Sequence, residues 1–399
     1  MRGGLGHLDS MRPLSAALAL LVLLALCAAS GRALAQAGPG VKRGLVILAA
    51  FPDVRPDMDR ETVAQRFSVQ LDRYVRNASD GAASLSVDVT PDWLTLPRPV
   101  GDYRISPRNL EVDRGRVMRL IDDALALAER SADLSSYDFI ALQLGAKMNE
   151  YGMVGLCGYP GMLGFSSEGD FTTRGGRRVR GVAIFTTQAH MGTLFHDVAH
   201  ILGGVRGGKR QVPCLYDHDL QARPGPLREV FVGSIINMGY WDPMSCHFYR
   251  RELPPPGLSS WTRLRLGWLD PARVRTVAPG ERAEVLLGPL ADPASPVAAI
   301  RIPLSDTQYY LIENRQPVGN DQHLPGSGAL ILRADDSVGE CRHGRAPVKL
   351  VDADPSRPGL TGAAFTPGAR GEFVDREHGV RVRVVEAPGQ TLRVVLDAP

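Results

Sequence analysis

The chain has 399 residues, with Lys+Arg 46 set against Asp+Glu 43 and a formal net charge of +3. That length exceeds what one small core holds and points to two domains. The near balance of charge gives no electrostatic case for nucleic acid or an anionic membrane as partner.

In chain order, Arg2 and Arg12 precede an apolar run over residues 14–29, followed by Ala33-Leu34-Ala35. A basic stretch, a short apolar core and small residues at the cleavage positions read as a secretory signal peptide over residues 1–35. The run is shorter than the ~20 residues needed to span a bilayer. The expectation is a secreted or periplasmic protein without stable membrane association once the signal is removed. Cys27 leaves with that segment, and Cys157, Cys214, Cys246 and Cys341 remain. An even number of cysteines in an exported chain predicts two disulfides, with all pairings open.

GLVILAAF (44–51) is a continuous apolar run of the kind buried on both faces of a sheet. From Asp59 to Arg76, apolar residues recur at helical steps, as they do again from Leu110 to Arg130. SLSVDV (84–89) alternates with period two, and FIALQL (139–144) and VAIFTT (182–187) read as further strands. The Gly-rich stretch 152–181 shows no period and is expected to be loop. Beyond Asp270 the texture changes to short strand-like pieces such as AEVLL, YYLIEN, GALILRA and TLRVVLD, separated by Gly, Pro and Asp. Regular spacing of such pieces predicts an all-β sandwich-like C-terminal domain over 273–399, behind an α/β domain over 36–272.

The chemistry concentrates in AHMGTLFHDVAHILGG (189–204). His196 and His200 stand four apart, which puts both imidazoles on one helix face, within reach of a single ion. Imidazole suits zinc better than it suits calcium or magnesium. Gly203-Gly204 supplies the means to leave the helix. CLYDHD (214–219) offers Asp217 as third ligand, with His218 and Asp219 as alternatives. GYWDPMSCH (239–247) puts Met244 in a tight turn, suited to forming an apolar floor beneath the histidines. His247 and Tyr249 follow that turn as candidate stabilisers of a developing oxyanion. His190 reads as a structural histidine, and Glu313-Asn314-Arg315 as a network joining the two domains. The chain holds no phosphate-binding Gly-rich loop, nucleotide fingerprint or G-x-S-x-G elbow.

Several segments occur together in order: FPD (51–53), residues 74–97, the double-histidine helix, CLYDHD, WDPM (241–244), LGWLD (266–270), residues 309–336 and VDADP (351–355). In this the chain resembles the immune inhibitor A family of secreted zinc metallopeptidases. The resemblance implies an α/β zincin-like catalytic domain followed by a β-rich domain, zinc as cofactor, calcium as a frequent second ion, and a protein or peptide substrate. Two positions depart from that family. Asp197 stands where the family has the Glu that moves protons between water and leaving amine. Cys214 stands at a position that is acidic in the family, which makes its thiol another candidate ligand. The resemblance therefore implies a zinc-dependent endopeptidase with Asp197 as its base. The alternative is a weak or inactive peptidase-fold protein acting in binding.

Overall fold

The computed structural model describes residues 38–105, 112–166, 170–217 and 236–399. The signal segment and two of the alternative ligands, His218 and Asp219, lie outside the described residues. The described chain is mixed α/β, with several sheets and few helices.

The first sheet is built on β1 (Gly40–Ala50), β2 (Ala83–Val89), β3 (Phe139–Leu144), β4 (Gly155–Tyr159) and β5 (Val182–Phe185), in the order β2-β1-β3-β5-β4. The short strand Leu94–Thr95 also pairs with β1. All these pairings are parallel except β4 on β5, which is antiparallel. The alternation of side chains along β1 divides its apolar run between two cores. Leu45, Ile47 and Ala49 pack on Val117, Leu120, Ile121 and Leu125 of α1 (Arg114–Ala128). Val46 and Leu48 face the opposite side, toward Leu194, Phe195 and Val198 of α2 (Met191–Gly203). The helix α1 starts where Asp113 accepts hydrogen bonds from the backbone N–H groups of Gly115 and Arg116. The Asp59–Arg76 pattern forms helical turns Arg60–Ala64 and Asp72–Ala78 around a π-helical stretch at Gln65–Leu71.

β4 corrects the expectation of loop over 152–181. Gly155 lies opposite Phe185 and Cys157 opposite Ala183, so the segment is the edge strand beside the site. Its glycines and a register shift between Cys157 and Tyr159 erase the period that would have marked it.

The C-terminal part holds a five-stranded sheet, β6 (Val274–Thr276), β8 (Ala299–Pro303), β9 (Gln308–Arg315), β10 (Gly328–Asp335) and β11 (Val348–Val351). Facing it is a four-stranded sheet of β7 (Ala283–Leu287), β12 (Glu372–Asp375), β13 (Val380–Glu386) and β14 (Leu392–Asp397). Tyr310, Ile312 and Ile331 pack between the two sheets, against Val285, Val382 and Val394. Their strand neighbours Tyr309, Leu311, Leu330 and Leu332 point the other way, into the core that also holds α2, Trp241 and Met244. The molecule is thus layered, and the sheet after residue 273 shares a core with the double-histidine helix. A short helix, α3 (Ser260–Leu266), lies in that shared core through Trp261 and Leu266. Among the described residues no helix is long and apolar enough to cross a membrane.

Candidate metal centre

The helix α2 is buried over Gly192–Gly203, as expected of a segment apolar on almost every face. His190 caps its N-terminus, with Nδ1 accepting from the Gly192 N–H at 3.0 Å, while its Nε2 meets the Leu253 carbonyl at 2.9 Å. It is a structural histidine, as its position suggested. At the other end Gly204 takes φ 67 and ψ −165, a conformation open in practice only to glycine, and the chain turns back along the helix. Gly203 permits the return: a Cβ there would lie 2.6 Å from Val212 Cγ2.

That close return matters because it delivers the Val212 carbonyl to His200. His200 Nδ1 and Val212 O are 2.6 Å apart, and His196 Nδ1 and Pro243 O are 2.9 Å apart. A carbonyl can only accept, so both Nδ1 atoms carry hydrogen, and in the neutral imidazoles, the form that ligates a metal, both Nε2 atoms hold the lone pairs. Those two nitrogens converge on one atom, Cys214 Sγ, at 3.5 Å from His196 Nε2 and 3.4 Å from His200 Nε2. The rings themselves are 4.6 Å apart and nearly perpendicular. His196, His200 and Cys214 therefore form a buried group with one donor each, close enough for a single ion. Imidazole ligands whose second nitrogen is fixed by a carbonyl are the ordinary outer-shell arrangement of metal sites.

The structure brings Cys214 to the histidine pair, whereas the Asp217 carboxylate accepts from the Gly344 N–H at 2.5 Å and is outside the group. The two expected disulfides are absent: all four of the described cysteines are free. Each thiol is engaged elsewhere. Cys157 donates to Pro160 O, Cys246 donates to Phe248 O, and Cys341 accepts from Asn237 Nδ2. Parity counts cysteines but does not see that one of them faces two imidazoles.

Asp197 lies beside His196, buried, with Oδ2 lacking any hydrogen-bond partner. Burial pushes its carboxyl up to about 7, against the smaller opposing pull of His196. It faces the edge strand at Gly155, where a Cβ would come 3.2 Å from Oδ2 and 2.7 Å from Thr193 Cγ2. Burial also depresses His200, while for His196 it is outweighed by the Cys214 thiol and Asp197, which hold that imidazole above its usual value.

Other groups close over His196. Tyr216 stacks on it with centroids 5.6 Å apart, and the His247 ring approaches to 4.5 Å. His247 Nδ1 is 2.9 Å from Thr193 Oγ1, and burial, reinforced by His196, holds its pKa well below the imidazole norm. Tyr249 packs edge-on against Tyr240 at 5.2 Å, with the Arg250 guanidinium over its ring. Met244 is fully buried in the core shared with α2. Its turn is fixed by Asp242, whose carboxylate accepts from Met244 N, Ser259 N, Ser259 Oγ and Thr262 Oγ1 at 2.6–2.9 Å. Asp242 is a residue that motif reading passed over, although its place in the WDPM turn could have marked it.

No family model matches the chain, and neither does any curated protein sequence.

Proposed function

We propose that this chain is a zinc-dependent endopeptidase similar to the immune inhibitor A family, with an α/β zincin-like layer carrying the site and sandwich-like β layers behind it. His196, His200 and Cys214 are the ligands, and Asp197 is the general base. One observation carries the reading: three donors of zinc-compatible chemistry converge in a buried cluster, with both imidazoles already held in the ligating tautomer. When bound, zinc supplies Lewis acidity toward a scissile carbonyl and lowers the pKa of water.

The chain's own residues supply the rest. A carboxyl raised to about 7 by burial suits a group that takes a proton from water and returns it to a leaving amine near neutral pH. Its unpartnered Oδ2 is the atom free to do so. Asp withdraws that oxygen by a methylene relative to Glu, and a displacement of roughly 1 Å can cost ~10²-fold in rate. Turnover is therefore expected to be slow. Cleavage of a broad peptide library, abolished by Asp197→Asn with zinc retained, tests the assignment.

A second reading has its own observation. His196 and His200 are each 1% exposed, Cys214 4% and Asp197 5%. Closed metal sites are the structural kind, which favours a non-hydrolytic binding protein on a peptidase fold. A folded, zinc-loaded chain without activity, in which Asp197→Glu creates activity, would select it.

A further inference from the structure

Two buried arginines, Arg210 and Arg315, lie close to the metal group without belonging to it. Each anchors one of the two segments whose carbonyls orient the histidines. Val212 O, the partner of His200, and Cys214 both lie on the return segment after Gly204. Arg210, two residues before Val212, binds Glu340 through two parallel contacts of 2.6 Å, Nε to Oε1 and Nη2 to Oε2. Its third nitrogen, Nη1, donates to Pro160 O at 3.3 Å. Lys209 Nζ donates to the carbonyls of Asp336 and Ser337, and Asp217 accepts from Gly344 N–H. The return segment is thus tied on both sides of Val212 and Cys214, at Lys209 and Arg210 and again at Asp217, to the connection between β10 and β11.

Pro243 O, the partner of His196, sits in the Met244 turn. The preceding Trp241 O accepts from Arg315 Nη1 at 2.8 Å. Arg315 is fully buried at the end of β9, paired with Glu313 at 3.0 Å and with Asp321 at 2.7 Å. Its Nη2 also donates to Gly257 O, and Glu313 accepts from the Ser260 N–H that opens α3. The network joins the two parts of the chain, as the Glu-Asn-Arg run suggested. It also ends two residues before Pro243, whose carbonyl meets His196.

A buried ion pair contributes little to stability relative to apolar residues that fill the same space. What a bidentate guanidinium–carboxylate pair provides is fixed geometry. We propose that Arg210 and Arg315 are positioning residues of the metal centre, through which the C-terminal β layers set the orientation of His200 and His196. This rests on the metal reading above. Loss of an outer-shell partner typically costs ~10–100-fold in metal affinity, and that is the effect expected here.

The test uses the full chain and zinc or cobalt(II) alone. Zinc affinity is measured by chelator competition, and ligand geometry by the cobalt absorption spectrum, for Glu340→Gln, Arg210→Lys and the conservative Glu340→Asp, and for Asp321→Asn, which releases Arg315. Glu284→Gln, which alters an exposed pair with Arg393 on the far sheet, is the control. Circular dichroism of the metal-free proteins reports folding. The expected result is ~10–100-fold weaker zinc binding and a shifted cobalt spectrum in folded Glu340→Gln and Asp321→Asn. Arg210→Lys should lose less, Glu340→Asp should recover part of the affinity, and the control should match wild type. Should Glu340→Gln not fold, Arg210→Lys decides by the same two measurements. Unchanged affinity and spectrum in the folded variants, beside a wild type that binds zinc, would overturn this inference alone. A wild type that takes up no zinc would overturn the metal reading and this inference with it.

Discussion

Replacing Asp197 by Asn in the metal-free protein should stabilise it at alkaline pH, by an amount that follows from the burial of the carboxyl. Folding moves this group from 3.8 to about 7. At ~1.36 kcal/mol per pH unit, keeping it ionised in the folded chain costs about 4 kcal/mol. The sign is opposite to that of a salt-bridged aspartate. Between about pH 4 and pH 7 the native state holds a proton that the unfolded chain has lost, so wild-type stability falls as pH rises through that window. Above about 7 the penalty is complete. Asn carries no charge, so its advantage grows across the same window and then levels. Against this stands its amide, placed where Oδ2 has no partner, at ~1–3 kcal/mol for an unsatisfied buried group. The net gain near pH 8 is about 1–3 kcal/mol. Urea unfolding in the presence of a chelator, at intervals from about pH 5 to pH 8, measures it. Saturating zinc should reduce or reverse the advantage, because a nearby cation favours the carboxylate. A difference between variant and wild type that does not change with pH would refute the reasoning.

Other outcomes follow from the same geometry. Cys214→Ser should weaken zinc binding by more than the ~10–100-fold typical of an outer-shell loss, whereas Asp217→Asn should leave stoichiometry intact; the reverse pattern in a metal titration would move the third ligand to Asp217. Gly155→Ala places a Cβ 2.7 Å from Thr193 Cγ2 and 3.2 Å from Asp197 Oδ2. It should cost about 1–3 kcal/mol in denaturant unfolding, as overpacked sites do, and it should lower peptidase activity. Met244→Ala empties a fully buried position and should cost ~2–5 kcal/mol while zinc stoichiometry, read by elemental analysis, is retained.

The sequence carried the parts of the fold that local periodicity dictates. The run at 44–51 became most of β1 because its side chains from Leu45 to Ala49 alternate between two apolar cores. The four-residue histidine spacing survived into the structure because a helix buried on all sides has a single way to present two polar rings together. What periodicity cannot carry was lost. The edge strand β4 contains glycines and a register shift, and only its pairing with β5 makes it a strand. The helix α3 is too short to show a period, and it forms where Ser259 caps it and Glu313 meets its first N–H. The third donor was ambiguous for a related reason. Spacing along residues 214–219 does not say which side chain the return from Gly204 turns inward, and the Arg210–Glu340 pair that fixes the return lies 130 residues apart in the chain.

Whether two imidazoles and a thiol hold a metal decides the rest. Elemental analysis of the purified full chain, after exhaustive dialysis and equilibration with zinc, is the decisive measurement. One tightly held zinc ion per chain, lost in both His196→Ala and His200→Ala while each variant stays folded, is the predicted result. A wild-type chain that retains no ion, or variants that retain as much as wild type, would contradict it.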